Sequence, residues 1–470
     1  MDKTPAKTAF DTSELGLLDA VGTATRLRTK EVSAEEVLEA AIARTDRLNP
    51  LLNAAPVRCD ERARQNAASP SDRFFSGVPT FIKGLDDVAG LENTRACRAF
   101  AGNVPKATDS LIQSFLDTGL VNMGLSSAAE LGLIATTETA LYGPTRNPWN
   151  LDHTPGGSSG GAAALVASGV VPIAHATDGG GSIRIPAAMT GLVGLKVSRD
   201  RNLDPPALKS APLRNACHGV VTRTVRDTAI FLSEIEKVRP ADGLAPVGAV
   251  EGPTSKRLRI GFYTESPLGA VADPDVAQIV KTSAEACRQL GHEVVEAKCP
   301  MTAQLYEDVL LYWSFFPWYL LKSLRAQLGD TFDESQFESF TRGLATYYEA
   351  HMEDSIIALF RLRGAEELSK QFYNQYDVLL SPVVGMTTPK LGWMSPELPF
   401  EELAEKTTRP ICYTQFENIT GDTAISLPLG LSQDGLPVGV QFAARSGNEA
   451  MLLSLAYEIE AAGLFTPRPV

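Results

Sequence analysis

Serine hydroxyls set in bare backbone occur twice in this sequence, at Gly156-Gly157-Ser158-Ser159-Gly160-Gly161 and at Asp178-Gly179-Gly180-Gly181-Ser182-Ile183-Arg184. Acyl transfer by a serine needs an unobstructed approach for a carbonyl carbon and several free backbone N–H groups for the oxyanion that forms. Glycine meets both needs, because it lacks a Cβ and adopts the tight conformations that aim neighbouring N–H groups at one point. Glycine clusters also surround phosphates, but neither cluster continues into the Gly-Lys-Ser/Thr of a phosphate-binding loop. A Ser-His-Asp arrangement is a second option, because two of the five histidines (His153, His175, His218, His292 and His351) lie near the serines. No Gly-x-Ser-x-Gly elbow is present to expose a serine for it, so His153 and His175 read as loop or core residues.

The elements that would hold these serines are legible in outline. Ser33-Ala34-Glu35-Glu36 is a capping box, and Val37, Leu38, Ala41, Ile42 and Leu48 behind it repeat at helical spacing until Asn49-Pro50, where the helix is expected to stop. Gly77-Val78-Pro79-Thr80-Phe81-Ile82-Lys83 reads as a turn entering a short strand, with Lys83 at the strand end. The Ala-rich run 161–168 favours helix and 170–174 a buried strand, which puts the second glycine cluster at a strand end, where α/β sheets commonly place ligands. Pro240, Gly243, Pro246, Gly248, Gly252 and Pro253 mark 238–255 as an exposed connection. Beyond it, a strand at 258–262, an N-capped helix at 273–290 and a strand at 293–296 form a βαβ unit. Further strands are expected at 376–382 and 436–441, and a helix at 448–461.

Composition excludes several classes. With 470 residues, 44% of them hydrophobic, the chain can bury a large core, and no internal repeat divides it. A net charge of −13 argues against a nucleic-acid binder, which would carry clustered Lys and Arg. Cys59, Cys97, Cys217, Cys287, Cys299 and Cys412 show no CxxC spacing, so neither a zinc site nor a disulfide scaffold is indicated, and reduced thiols in a cytoplasmic protein are expected. The opening MDKTPAKTAFDTSEL lacks an apolar signal region, and the most apolar stretch, 161–176, is too short and interrupted to span a membrane.

The two clusters, followed by Ile185-Pro186-Ala187 and Gly191-Leu192-Val193-Gly194-Leu195-Lys196, closely resemble the signature segment of the amidase signature family. The likeness extends to Gly77-Val78-Pro79 leading to Lys83, and to Asn418 through Pro428 with Gly435-Leu436-Pro437-Val438-Gly439-Val440-Gln441. It covers most of the chain and leaves about 304–370 without a motif. The resemblance implies an α/β fold in one large domain over residues 1–470, with a central twisted mixed sheet covered by helices on both faces. Residues 1–60 would be a helical N-terminal segment, 61–235 the signature core, and 256–470 the remainder of the same body, including a substrate-shaping insert at about 304–370.

By the same resemblance Ser182 is the nucleophile, Ser158 a bridging serine after a cis peptide bond, and Lys83 the base. Gly179, Gly180, Gly181 and Ser182 would supply the oxyanion-hole N–H groups. Asp178, Arg184 and Ser159 would support the loops, although Asp178 and Arg184 could equally be a purely structural pair, and Ser159 a helix N-cap. A lysine in water, with a pKa near 10.4, is about 99.9% charged at pH 7 and cannot accept a proton, so burial must depress it. The resemblance implies no metal and no organic cofactor. Four positions depart from the family pattern: Gly84 where Asp is common, Gly179 where a larger apolar residue is frequent, Leu125-Ser126 in place of Lys-Thr, and Thr423 in place of Pro. None removes a triad residue, but they bear on what supports Lys83.

The expected activity is amide hydrolysis through an acyl-serine intermediate on small, aryl, fatty or cyclic amides. The alternative is the glutaminase-type A subunit of a tRNA-dependent amidotransferase, which works inside a complex. A catalytically silent scaffold is disfavoured by intact Lys83, Ser158 and Ser182. Within the insert, Trp313, Phe316 and Trp318 are candidates to line an apolar substrate pocket, with core packing as the competing reading. A homodimer is expected by resemblance only.

Overall fold

Runs of β-branched and small apolar residues build an eight-stranded mixed sheet, the scaffold on which both serine clusters sit. The computed structural model describes residues 7–205, 208, 210–269 and 272–466. From one edge to the other the strands are Glu293–Glu296, Arg259–Phe262, Val378–Pro382, Pro437–Ala444, Thr423–Leu431, Val193–Lys196, Cys217–Thr222 and Ile173–Asp178. The first three run parallel, and each later neighbour pairs antiparallel. A smaller sheet, Val57–Arg58, Val121–Ser126 and Pro79–Lys83, lies beside the edge strand Ile173–Asp178, and Thr80 Oγ1 donates to the Ile173 carbonyl across the gap at 3.0 Å. That juxtaposition brings the end of the lysine strand against the end of the strand that leads into the second glycine cluster.

Helices flank the large sheet. Gly160–Ser168 is buried at every residue, as its composition of Ala, Gly, Leu and Val allows, and Val225–Val238, Pro274–Gln289 and Glu449–Ala461 each bury an apolar stripe against the strands. The short helix Arg184–Thr190 starts just beyond Ser182 and is also wholly buried. The Ser33/Glu36 capping box is formed as expected, but the helix runs through Pro50 to Leu52 instead of stopping at Asn49. A proline near a helix end forfeits one backbone hydrogen bond. Burial of Leu52 outweighs that loss, and Asn49 closes the end by accepting from the N–H groups of Ala54 and Ala55. The strand expected at 170–174 begins later, at Ile173, because Val170, Val171 and Pro172 form the turn out of the preceding helix. The aromatic-rich part of the insert is one helix, Ala303–Leu328, packed against the insert's other helices, Ser339–His351 and Ser355–Tyr373.

Close approach explains Gly161. A Cβ there would lie 2.4 Å from the Ser127 nitrogen and 2.5 Å from its oxygen, both rigid backbone atoms. Gly161→Ala is expected to lower unfolding free energy by about 3 kcal/mol, whereas Gly364→Ala, at an exposed helical glycine with open space around it, should raise it by about 0.5 kcal/mol. Urea unfolding of the two variants checks both signs.

Candidate active site

Lys83 ends its strand with its side chain completely buried, and its Nζ lies 2.8 Å from Ser158 Oγ and 2.8 Å from Thr177 Oγ1. Ser158 follows Gly157 through a cis peptide bond. Burial pushes the Lys83 ammonium down to about 7, against the attraction of the Asp86 and Asp178 carboxylates. An amine with that affinity is substantially neutral near pH 7 and can take a proton from a hydroxyl. Thr177 was not singled out from the sequence, where it is one more β-strand residue. In the structure it is the second hydroxyl that fixes Nζ.

Ser182 lines a cleft of about 730 Å³, counting its open mouth, together with Gly179 and Gly180. A Cβ placed on Gly132, also in the cleft wall, would lie 3.5 Å from Ser158 Oγ, so Ser158 lies against that wall. The loop carrying Ser182 is aimed by its carbonyls. Asn215 donates to the Gly179 carbonyl at 3.2 Å and Thr414 to the Gly180 carbonyl at 2.6 Å. The four amides expected to bind an oxyanion are not equivalent: the Gly181 N–H donates to Asp178 Oδ1 at 2.7 Å and is therefore committed, and Gly181 does not line the cleft. Gly179, Gly180 and Ser182 remain. Gly181 itself must be glycine, with φ of 126° and Thr414 Oγ1 only 2.4 Å from where a Cβ would sit.

Asp178 and Arg184 are both fully buried and form a two-point ion pair, Nε to Oδ2 at 2.9 Å and Nη2 to Oδ1 at 3.0 Å. Arg184 also reaches Glu417 Oε2 (3.0 Å), Gln441 Oε1 (2.7 Å) and Asn418 Oδ1 (2.6 Å), which ties the loop carrying Ser182 to the C-terminal strands and helices. Burial alone would raise the Asp178 carboxyl, but the Arg184 guanidinium and its hydrogen bonds hold it well below the usual carboxylate range. Glu417, facing the same guanidinium with less help, is pushed up to about 7 by burial. Ser159 occupies the N-cap position of Gly160–Ser168, yet its side chain does not cap the helix; it exchanges 3.3 Å contacts with the Thr177 carbonyl and N–H.

The aromatic candidates separate. Trp313 lines the cleft, in a helical stripe with Tyr306, Val309 and Leu310, and its Nε1 donates to the Leu133 carbonyl in the opposite wall at 3.1 Å. Phe316 is 47% exposed, and Trp318 packs on Tyr348 with ring centroids 4.9 Å apart, so neither lines the cleft. The helix contributes Tyr306 to Trp313 to the cleft; Phe316 shares that face but lies a turn further along, beyond the last lining residue, and Trp318 is turned about 140° away from Trp313. Trp313 also explains one departure from the family pattern. A Cβ on Gly179 would meet the indole at 3.1 Å, so the ring occupies the room a larger side chain would need. His153 and His175 take no position among the cleft residues, as expected.

Comparison with known proteins follows the same lines. The family model described as Amidase matches residues 36–453. The chain belongs to the amidase signature family. This amidase is 43% identical to the putative amidase AmiC of Mycobacterium tuberculosis (strain ATCC 25618 / H37Rv) over 97% of its own length and 96% of the relative's. It is 33% identical to a 6-aminohexanoate-cyclic-dimer hydrolase of Pseudomonas sp. (strain NK87), with 94% of each chain covered. The solved structure of a 6-aminohexanoate cyclic dimer hydrolase complexed with substrate superposes with a TM-score of 0.87 at 30% identity, covering 96% of this chain and 98% of the other. It is thus an amidase-family enzyme that hydrolyses amide C–N bonds. Among the described residues, no helix is long and apolar enough to cross a membrane.

Replacing Arg184 by Met would leave Asp178 and Glu417 buried without their cation. A loss of about 3–5 kcal/mol in unfolding free energy at pH 7 is expected by urea titration.

Proposed function

We propose that this amidase hydrolyses uncharged carboxylic amides through an acyl-enzyme on Ser182, with Ser158 as the relay and Lys83 as the base. The observation that carries the reading is a completely buried amine 2.8 Å from the Ser158 hydroxyl, behind the cleft that Ser182 lines. Ser182 Oγ attacks the carbonyl carbon while its proton passes to Ser158 and that of Ser158 to the lone pair of Lys83. The N–H groups of Gly179, Gly180 and Ser182 receive the oxyanion. Collapse breaks the C–N bond, and the leaving amine takes the proton back from Lys83 through Ser158. Water then attacks the ester by the same route in reverse and releases the acid.

The cleft wall supports the substrate class. Its described residues include no Asp, Glu, Lys or Arg, and Ile134, Ile185, Val309 and Trp313 give it an apolar lining interrupted by Asn215, Gln415 and Asn418. Burying a charged group there without a partner would cost several kcal/mol. The relative named for a cyclic aminohexanoate dimer supports small or cyclic neutral amides over long charged ones. Glutamine would present an ammonium and a carboxylate to a wall with no counter-charge, which disfavours the amidotransferase reading. In a cytoplasmic setting the six cysteines, none of which forms a disulfide among the described residues, would stay reduced.

A panel of neutral anilides, fatty amides, cyclic amides and glutamine tests the class; turnover restricted to glutamine would overturn it. Ser182→Ala should reduce kcat by at least about a thousandfold and abolish the acylation burst while leaving the unfolding midpoint in place. For the parent, kcat/KM should rise with pH through an acid limb near 7, because only the neutral amine accepts a proton. Trp313→Ala should raise KM for bulky neutral amides, and Trp318→Ala should leave KM unchanged.

A further inference from the structure

Behind Lys83 lies a set of polar groups that the acyl-transfer steps do not use. The backbone N–H of Lys83 donates to His175 Nδ1 at 3.2 Å, His175 Nε2 lies 2.9 Å from His218 Nδ1, and His218 Nε2 is 3.7 Å from Asp86 Oδ1. These contacts assign the tautomers. His175 accepts at Nδ1, so its proton is on Nε2 and is given to His218 Nδ1; the His218 proton is therefore on Nε2, facing Asp86. Both rings are buried, and Phe115 meets His175 edge-on at 4.8 Å. Asp86 stands three residues after Lys83, held there by its N–H donating to the Lys83 carbonyl, and its Oδ2 is buried without a hydrogen-bond partner. Gly84 occupies the position where the family pattern has an acid, and a Cβ there would meet the Ser126 carbonyl at 3.0 Å.

We propose that Asp86, fixed to the Lys83 carbonyl through its N–H and facing the His218–His175 chain, is the positioning residue that sets the pH at which Lys83 becomes free to accept a proton. This rests on Lys83 being the base. Asp86, itself pushed up to about 7 by burial, favours the charged amine in its ionised form and so opposes the burial that makes Lys83 neutral, which keeps the working window near neutrality instead of well below it. Other charged groups face the pair. Asp178 adds a second, smaller attraction on Lys83, while Asp87, Asp109 and Arg95 surround Asp86. Both imidazoles are held neutral by burial, His218 with Lys83 and Arg239 nearby and His175 with His218 and Lys83 nearby, so they carry no charge to Lys83 in the neutral range. Of these groups Asp86 is the one whose charge acts most on Lys83.

The test is the acid limb of kcat/KM measured on a neutral anilide. Asp86→Asn removes the charge and keeps the shape, so the limb should move to lower pH by about one unit, and Asp86→Glu should return it towards the parent position. Arg95, 38% exposed and paired with Asp87, favours the ionised form of Asp86; Arg95→Gln should move the limb in the same direction by less. It carries the test whenever Asp86→Asn gives no measurable rate or does not fold. A limb that stays in place or moves upward overturns the assignment. Lys83→Met separates the two claims: retained turnover would remove Lys83 as base, whereas an inactive Lys83→Met with unmoved limbs removes only the role of Asp86.

Discussion

In the proposed reaction the Lys83 amine must lose its proton near neutral pH and so has to be taken out of water, and the fold places it there. Lys83 Nζ meets two hydroxyls and no carboxylate at hydrogen-bond distance. Its desolvation requires the small sheet to be pressed against the edge strand Ile173–Asp178, since Thr177, His175 and the end of the lysine strand all belong to that seam. A carboxylate moved into direct contact would make a stronger ion pair and a useless base. The arrangement therefore gives up attraction at Lys83 in favour of its lone pair.

The complementary demand falls on the loop carrying Ser182, which in the proposed reaction presents N–H groups outward while its carbonyls and acid turn inward. Arg184 meets it. One guanidinium gathers Asp178, Glu417, Gln441 and Asn418, so the position of Ser182 depends on elements more than two hundred residues further along the chain. The same four acceptors offset the cost of burying a cation, which would be prohibitive for a guanidinium with one partner. Asp178 spends part of its carboxylate on the Gly181 N–H, and of the four residues Gly181 alone stays out of the cleft lining.

Much of this was legible in the sequence because it is local. The glycine clusters, the capping box at Ser33, the lysine at a strand end and the βαβ unit after the proline-rich connection each rest on neighbours within a few residues. What escaped depends on contacts between distant segments. The chain from Lys83 through His175 and His218 to Asp86 joins residues 92 and 43 positions apart, and the histidines had been weighed only as partners for serine. Phe316 and Trp318 were grouped with Trp313 because they are close in sequence, but Phe316 lies a turn beyond the cleft and is exposed, and Trp318 is turned towards Tyr348. Pro50 marks a stop by its own chemistry, and only the burial of Leu52 shows why the helix continues. Asn418 had a visible signal, as the first residue of the C-terminal segment, though nothing in the sequence indicated that it touches both Asp178 and Arg184.

The indole lying over Gly179 has a consequence for how this enzyme could diversify. Two sites about 130 positions apart occupy one volume, so enlarging the loop residue is obstructed while the ring stays, and shrinking the ring first opens a void beside the reaction centre. Residues in direct contact couple, so an exchange at either position is felt at the other. Selectivity set by this pair would then be tuned through both positions together, not through one alone.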